Sequence, residues 1–123
     1  MGFQILDSNG NAMTMNDIDK EVCNFWNVPF DEKHYAVPNK REEYPEGIEG
    51  SLKYAQQLNW YDSIGWRIHY HRCNDWQCVR NAFLRDYEKI MTQYNLTIEQ
   101  IIPKEIALLE YFEKRNYQPR FVD

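Results

Sequence analysis

The chain has 123 residues, of which 27% are charged, and its formal net charge is −5. A chain of this length can bury enough apolar surface for one core, so residues 1–123 are expected to form a single globular domain. The acidic balance argues against non-specific binding to nucleic acid. The absence of an apolar run of about 18 residues argues against a membrane span.

The three cysteines, Cys23, Cys73 and Cys78, form an odd set without the spacing of a disulfide framework. The first residues lack the basic start and the apolar stretch of a secretory signal peptide. Because free thiols persist in reducing compartments, these features predict a cytoplasmic protein whose cysteines are free.

The chain begins with a pattern typical of a β-hairpin. Residues 2–6 favour a strand, the Asn9-Gly10 pair favours a type I′ turn, and residues 12–14 are expected to return as the second strand. A helix follows, with Thr14 as its N-cap and with an end before Pro29. Its apolar stripe consists of Ile18, Val22, Phe25 and Trp26.

Residues 27–50 show no regular period and are interrupted by Pro29, Pro38 and Pro45, which predicts a long irregular and acidic loop. Loops of this length in small domains are often functional. Its acidic and aromatic side chains are therefore the candidates for contact with a partner protein: Tyr35, Glu42, Glu43, Tyr44 and Glu46.

The segment around Gly65 fits two interpretations. As a strand, residues 64–70 alternate between apolar side chains and polar or small ones. As a helix, Trp60, Ile64 and Ile68 form one stripe, but Gly65 costs about 1 kcal/mol relative to alanine. The alternation and the glycine favour a strand near 64–70, which would give the N-terminal hairpin a third partner.

The rest of the chain has helical periodicity up to an extended tail that begins at Tyr117. Residues typical of helix starts mark the remaining helices: Ser51, Asn74 or Asp75, Thr97 with Gln100, and Pro103. The predicted fold class is therefore α+β and mostly helical. An N-terminal β-hairpin, a third strand near 64–70 and four to five helices surround one aromatic-rich core.

One alternative function is metal binding. Imidazole and thiolate groups are the ligands that zinc prefers, and His69, His71, Cys73 and Cys78 lie close together in the chain. On a strand, residues 69, 71 and 73 would project from one face. The spacing matches none of the paired Cys-x2-Cys patterns of zinc sites, so a bound cofactor is not expected, and zinc is the alternative.

A second alternative is nucleic-acid binding by the arginine, histidine and aromatic residues of 66–85. Arg67, Arg72 and Arg80, with aromatic rings between them, could neutralise and stack on a single strand. The acidic total and the lack of a recognisable nucleic-acid module argue against this interpretation.

No phosphate-binding loop, nucleophile elbow or metalloprotease motif is present, so neither catalysis nor a cofactor is expected. The chain contains nine Tyr and four Trp, residue types that often anchor protein interfaces. In size and style it resembles the small accessory proteins of bacterial genomes, phages and mobile elements, many of which bind a host or defence protein. The predicted function is stoichiometric, inhibitor-like or adaptor-like binding of another macromolecule, with a protein favoured as the partner.

Overall fold

A computed structural model describes residues 2–30 and 40–123. The predicted fold class is confirmed, because the fold is α+β and mostly helical. The strands are β1, Gly2–Leu6, and β2, Gln118–Val122. The helices are α1, Met15–Trp26; α2, Gly47–Gln57; α3, Trp66–Tyr70; α4, Trp76–Asp86; α5, Glu88–Tyr94; α6, Ile98–Ile101; and α7, Pro103–Lys114.

Two shorter turns complete these elements. A 3-10 turn, Arg41–Glu43, precedes α2, and a π-helical turn, Tyr61–Gly65, runs directly into α3. The described residues thus contain seven α-helices rather than four or five. The predicted helix over 76–94 is two helices, which meet at Tyr87.

The sheet joins the two ends of the chain, so the predicted N-terminal hairpin is wrong. β1 pairs antiparallel with β2, in a register that runs from Gly2 opposite Val122 to Leu6 opposite Gln118. The chain does reverse after β1, but Ala12 makes only a single bridge to Leu6. The physical reason is length, because helix α1 begins too soon after Ala12 for a returning strand to form.

The predicted third strand near 64–70 is also wrong, because this segment is helical. Trp60, Ile64 and Ile68 are fully buried, as expected for the stripe of a helix. Gly65 is required for close packing and not for an extended backbone, because a Cβ atom there would lie 2.5 Å from the ring of Phe3. The alternation in the sequence misled because it does not correspond to burial: Trp66 and Tyr70 are exposed, whereas Arg67 is buried.

Side-chain caps explain where several helices begin. Thr14 and Asp75 each accept a hydrogen bond from a backbone N–H three residues further on, and Thr97 and Gln100 form a reciprocal capping box. Pro103 occupies the first turn of α7, where its missing N–H costs nothing. These four starts confirm the sequence predictions, whereas the helix expected to begin at Ser51 begins four residues earlier, at Gly47.

One aromatic-rich core fills the space between the helices and the sheet. Most of the apolar side chains on the inner helix faces are buried, among them Ile18, Val22, Ile64, Ile68, Trp76, Val79, Phe83, Ile90, Ile106, Leu109 and Phe112. Phe25 is an exception, because its side chain is 38% exposed and stacks on Tyr111 at the surface. None of the helices described combines the length and the apolarity that crossing a bilayer requires.

Cys73 and Cys78 are joined by a disulfide between the end of α3 and the first turn of α4, whereas Cys23 is buried and free. The prediction of three free thiols is therefore wrong for two of them. The reason is the tight turn after α3, where Arg72 adopts a left-handed conformation and the Cα atoms of the two cysteines come within 5.5 Å. A continuous strand over this region would not have brought them together.

Candidate functional site

A groove of about 520 Å³ lies between α2, the π-turn with α3, and the α4–α5 junction. Apolar side chains from α2 and α5, including Ile48, Ala55 and Ile90, line it. The ring of Trp66 forms part of another wall and is 44% exposed. A half-open cavity with apolar walls and few polar groups is a typical binding site in proteins.

Trp66 belongs to an exposed aromatic pair, whose residues the sequence suggested only as stacking side chains of the alternative nucleic-acid site at 66–85. It stacks on Tyr70, with the ring centroids 3.9 Å apart, and Tyr70 is 61% exposed. The two residues are neighbours on the outer face of α3, one helical turn apart. The spacing of four residues would indicate their contact on a helix but not on a strand, which is why their stacking was not predicted.

Three of the predicted partner-binding residues, Glu42, Glu43 and Glu46, are exposed and are here called the acidic rim. Glu42 and Glu46 line a separate shallow depression, which shares Arg41 with the groove. Tyr44 is half-buried and packs edge-on against Tyr54, which lines the groove, with their ring centroids 5.5 Å apart. These four residues thus lie together, whereas Tyr35 lies outside the described residues.

Arg41 fixes the acidic rim against α2. Its guanidinium donates hydrogen bonds to the carbonyl oxygens of Pro45 at 2.8 Å and Gly47 at 3.1 Å, and to Ser51 Oγ at 3.3 Å. Gly50 lets the segment approach closely, because a Cβ atom there would lie 1.5 Å from the Pro45 carbonyl oxygen. The described end of the predicted irregular loop, 27–50, is therefore a defined turn followed by the start of α2.

Arg67 lies under the groove and is only 6% exposed. Its Nε atom lies 3.1 Å from Asp86 Oδ2, and its terminal nitrogens donate to Ser63 O at 3.2 Å and to the Tyr87 hydroxyl at 3.1 Å. The guanidinium also packs over the ring of Phe83, 4.8 Å from its centroid. The ion pair with Asp86 and the hydrogen bond to Tyr87 hold Arg67 in place, so we assign these residues a structural role, although the buried Nε atom lacks a well-directed hydrogen bond among the described residues.

The predicted nucleic-acid residues do not form one accessible basic patch. Arg67 is buried, and Arg80 on α4 pairs with Glu99. Arg72 is exposed and lies over the ring of Phe121, 5.5 Å from its centroid. The three cations therefore lie in separate surroundings.

The predicted metal ligands do not converge either. Cys73 and Cys78 are bonded to each other. His69 Nδ1 lies 3.4 Å from the carbonyl oxygen of Gly2, while His71 Nε2 lies 3.6 Å from Asp86 Oδ2. Over residues 2–30 and 40–123, no group of three or more metal-binding side chains comes together, so the structure does not assemble the four predicted zinc ligands into one site.

Burial shifts the pKa of several groups in and near the groove. It raises the pKa of the Asp62 carboxyl, while a hydrogen bond from Asn59 partly opposes this effect. Burial also raises the pKa of Tyr54, and the nearby carboxylates of Asp62 and Glu42 raise it further. Asp62, Tyr54 and Glu42 therefore lie near one another at one end of the groove.

Comparisons with known protein families, with curated proteins and with solved structures found no match for this chain. The function must therefore be inferred from the geometry of the groove and of the acidic rim.

Proposed function

We propose that the protein acts by stoichiometric binding of another protein, as an inhibitor or adaptor, through the groove and the acidic rim. The observation that carries this proposal is the stacked pair of Trp66 and Tyr70 at the edge of an apolar groove. Exposed Trp and Tyr side chains beside a pocket are typical anchors of protein interfaces. The carboxylates of the rim would attract a partner with a basic surface and speed its association.

The location predicted from the sequence belongs to this proposal. That predicted location is the cytoplasm. The argument from free cysteines no longer supports it, because two of the three are joined.

The experiment is affinity capture from the native cells with two sets of charge reversals. Glu42, Glu43 and Glu46 are changed to Lys in the first variant. The control carries Glu88→Lys, Glu110→Lys and Glu113→Lys, three exposed acids outside the groove, so that the net charge changes equally.

The proposal expects a protein that co-purifies with the wild type and the control but not with the rim variant. Native mass spectrometry of the reconstituted pair should then give a fixed stoichiometry, and Trp66→Ala should weaken binding by a factor of roughly 10 to 100. Equal capture by the rim variant and the wild type would show that this surface does not bind the partner.

A further inference from the structure

Asp62 is an acid in an unusual position. Its carboxylate lines the groove and is partly buried, one turn before Trp66 on the same helix. Asn59 Nδ2 donates to Asp62 Oδ2 at 3.4 Å, and the Asp62 backbone N–H donates to Asn59 Oδ1 at 2.8 Å. Among the described residues, no lysine, arginine or histidine forms an ion pair with this carboxylate.

The other charges that line the groove are already engaged or lie on other walls. Arg41 donates to carbonyl oxygens and to Ser51, and Arg67 pairs with Asp86. Lys89 is exposed on α5, whereas Asp62 belongs to the end of the groove near Tyr54 and Glu42. At that end, the Asp62 carboxylate lies near aromatic rings and pairs with no cation in the described part of the chain, although Arg67 is close enough to act on Tyr54.

A carboxylate beside aromatic rings is suited to a cation on a long apolar stem. The head group of lysine or arginine pairs with the carboxylate and interacts with the face of a ring, while the methylene groups cover apolar walls. Ile48, Leu58 and Trp66 offer such walls. The acidic rim adds negative charge at the entrance, which favours a basic partner over an acidic one.

We propose that the groove receives a lysine or arginine side chain of an amphipathic basic segment, whose cation pairs with Asp62 beside Tyr54 and Trp66. This inference rests on the proposed function and names the chemistry of the partner. The segment presents leucine-like side chains to Ile48, Leu58 and Ile90, and its other cations face Glu42, Glu43 and Glu46.

The test uses synthetic peptides as probes: a repeat of the sequence LKKLLKL, and matched peptides with Glu or Gln in place of Lys. Binding to the wild-type protein is measured by isothermal titration calorimetry, and its place by the NMR signals of the Trp66 indole and the Asp62 amide. We expect the Lys peptide to bind at these signals and the Glu peptide not to bind. Binding of the Glu peptide as tight as that of the Lys peptide would overturn the inference.

The deciding variant is Asp62→Asn, which keeps the size of the side chain and removes its charge. It should weaken binding of the Lys peptide roughly 5- to 10-fold, whereas Glu110→Gln, an exposed acid on α7 with the same change of charge, should leave binding unchanged. Equal affinity of Asp62→Asn and the wild type would overturn the inference.

A measurement on the unmodified protein covers the case in which Asp62→Asn does not fold. Titration of the Asp62 carboxyl carbon by NMR should show a lower pKa when the Lys peptide is bound, because the nearby cation favours the charged carboxylate. An unchanged or higher pKa would contradict the pairing. The inference and the proposed function can fail separately. If a native partner is captured but the Lys peptide does not bind as described, only the inference is rejected. If no partner is captured, the proposed function is rejected.

Discussion

Glu105 shows how a single buried group can set the pH dependence of stability. It lies in the first turn of α7 and is only 3% exposed. Burial raises its pKa from 4.5 to about 7, although its backbone hydrogen bond and the charges of Lys104 and Arg67 partly oppose this shift. A carboxyl group in this position is neutral in the folded protein at mildly acidic pH and charged in the unfolded chain.

We therefore expect Glu105 to make the protein less stable as the pH rises. Between pH 4.5 and about 7 the unfolded chain releases this proton and the folded protein keeps it, so the free energy of unfolding falls. Above about pH 7 both states are ionised and the loss levels off at about 3 kcal/mol. In urea unfolding, Glu105→Gln should lose about that much less stability than the wild type between pH 5 and pH 8.

Glu110→Gln on the same helix is the matched control, because Glu110 is exposed. It should follow the wild type at both pH values. If Glu105→Gln also lost stability in parallel with the wild type, the carboxyl group of Glu105 would not be the source of the pH dependence.

At the scale of elements, the connection between α3 and α4 holds the C-terminal strand β2 in place through hydrogen bonds. Asn74 lies inside the disulfide-closed loop; its carbonyl oxygen accepts from Gln118 Nε2 at 3.0 Å, and its Oδ1 accepts from the Phe121 N–H at 3.2 Å. The disulfide between Cys73 and Cys78 holds this loop in shape. Its reduction should therefore affect both stability and the strand β2.

We expect reduction of the disulfide to lower the free energy of unfolding by about 2 kcal/mol, the value for a closed loop this short. Hydrogen exchange of the backbone amides in β2 should become faster. The double variant Cys73→Ser/Cys78→Ser is the control, since reductant should not change it further. A wild-type mass that does not rise by two hydrogens under reductant would mean that the bond is absent in solution.

The sequence predicted elements whose signals are local. The caps at Thr14, Asp75 and Thr97 and the proline at Pro103 depend only on neighbouring residues, and all four helix starts were correct. The strand near 64–70 was wrong because Gly65 was judged by its backbone preference alone. Its actual role is contact with Phe3, a residue distant in the chain, which no local pattern could indicate.

The candidate site was predictable to the same limited extent. Exposed acids at Glu42, Glu43 and Glu46 follow from composition and a loop pattern, and the structure places them together. The groove itself depends on how α2 and α5 pack, and the pairing of Arg67 with Asp86 bridges two helices. Such contacts decide which charged side chains have a partner. The position of Asp62 in the groove could therefore not be predicted from the sequence.

At the scale of the whole molecule, the two ends of the chain stabilise each other. β1 and β2 are each other's only strand partner among the described residues, apart from the bridge at Ala12. Pro119, which has no N–H to donate, lies opposite Ile5, whose carbonyl oxygen instead accepts from Met13 at 2.9 Å. The N-terminal strand therefore depends on the last residues of the chain.

This dependence can be tested by asking whether β1 is held by β2 or by a hairpin with residues 12–14. Deletion of residues 118–123 should expose β1, so that the amides of 2–6 lose most of their protection against hydrogen exchange. The amides of α4 and α7 should keep theirs, because Phe83 and Phe112 remain packed in the core. Deletion of Asp123 alone is the control and should change neither. If 2–6 stayed protected without β2, the return through Ala12 and Met13 would be sufficient to hold β1, and the hairpin expected from the sequence would be stable after all.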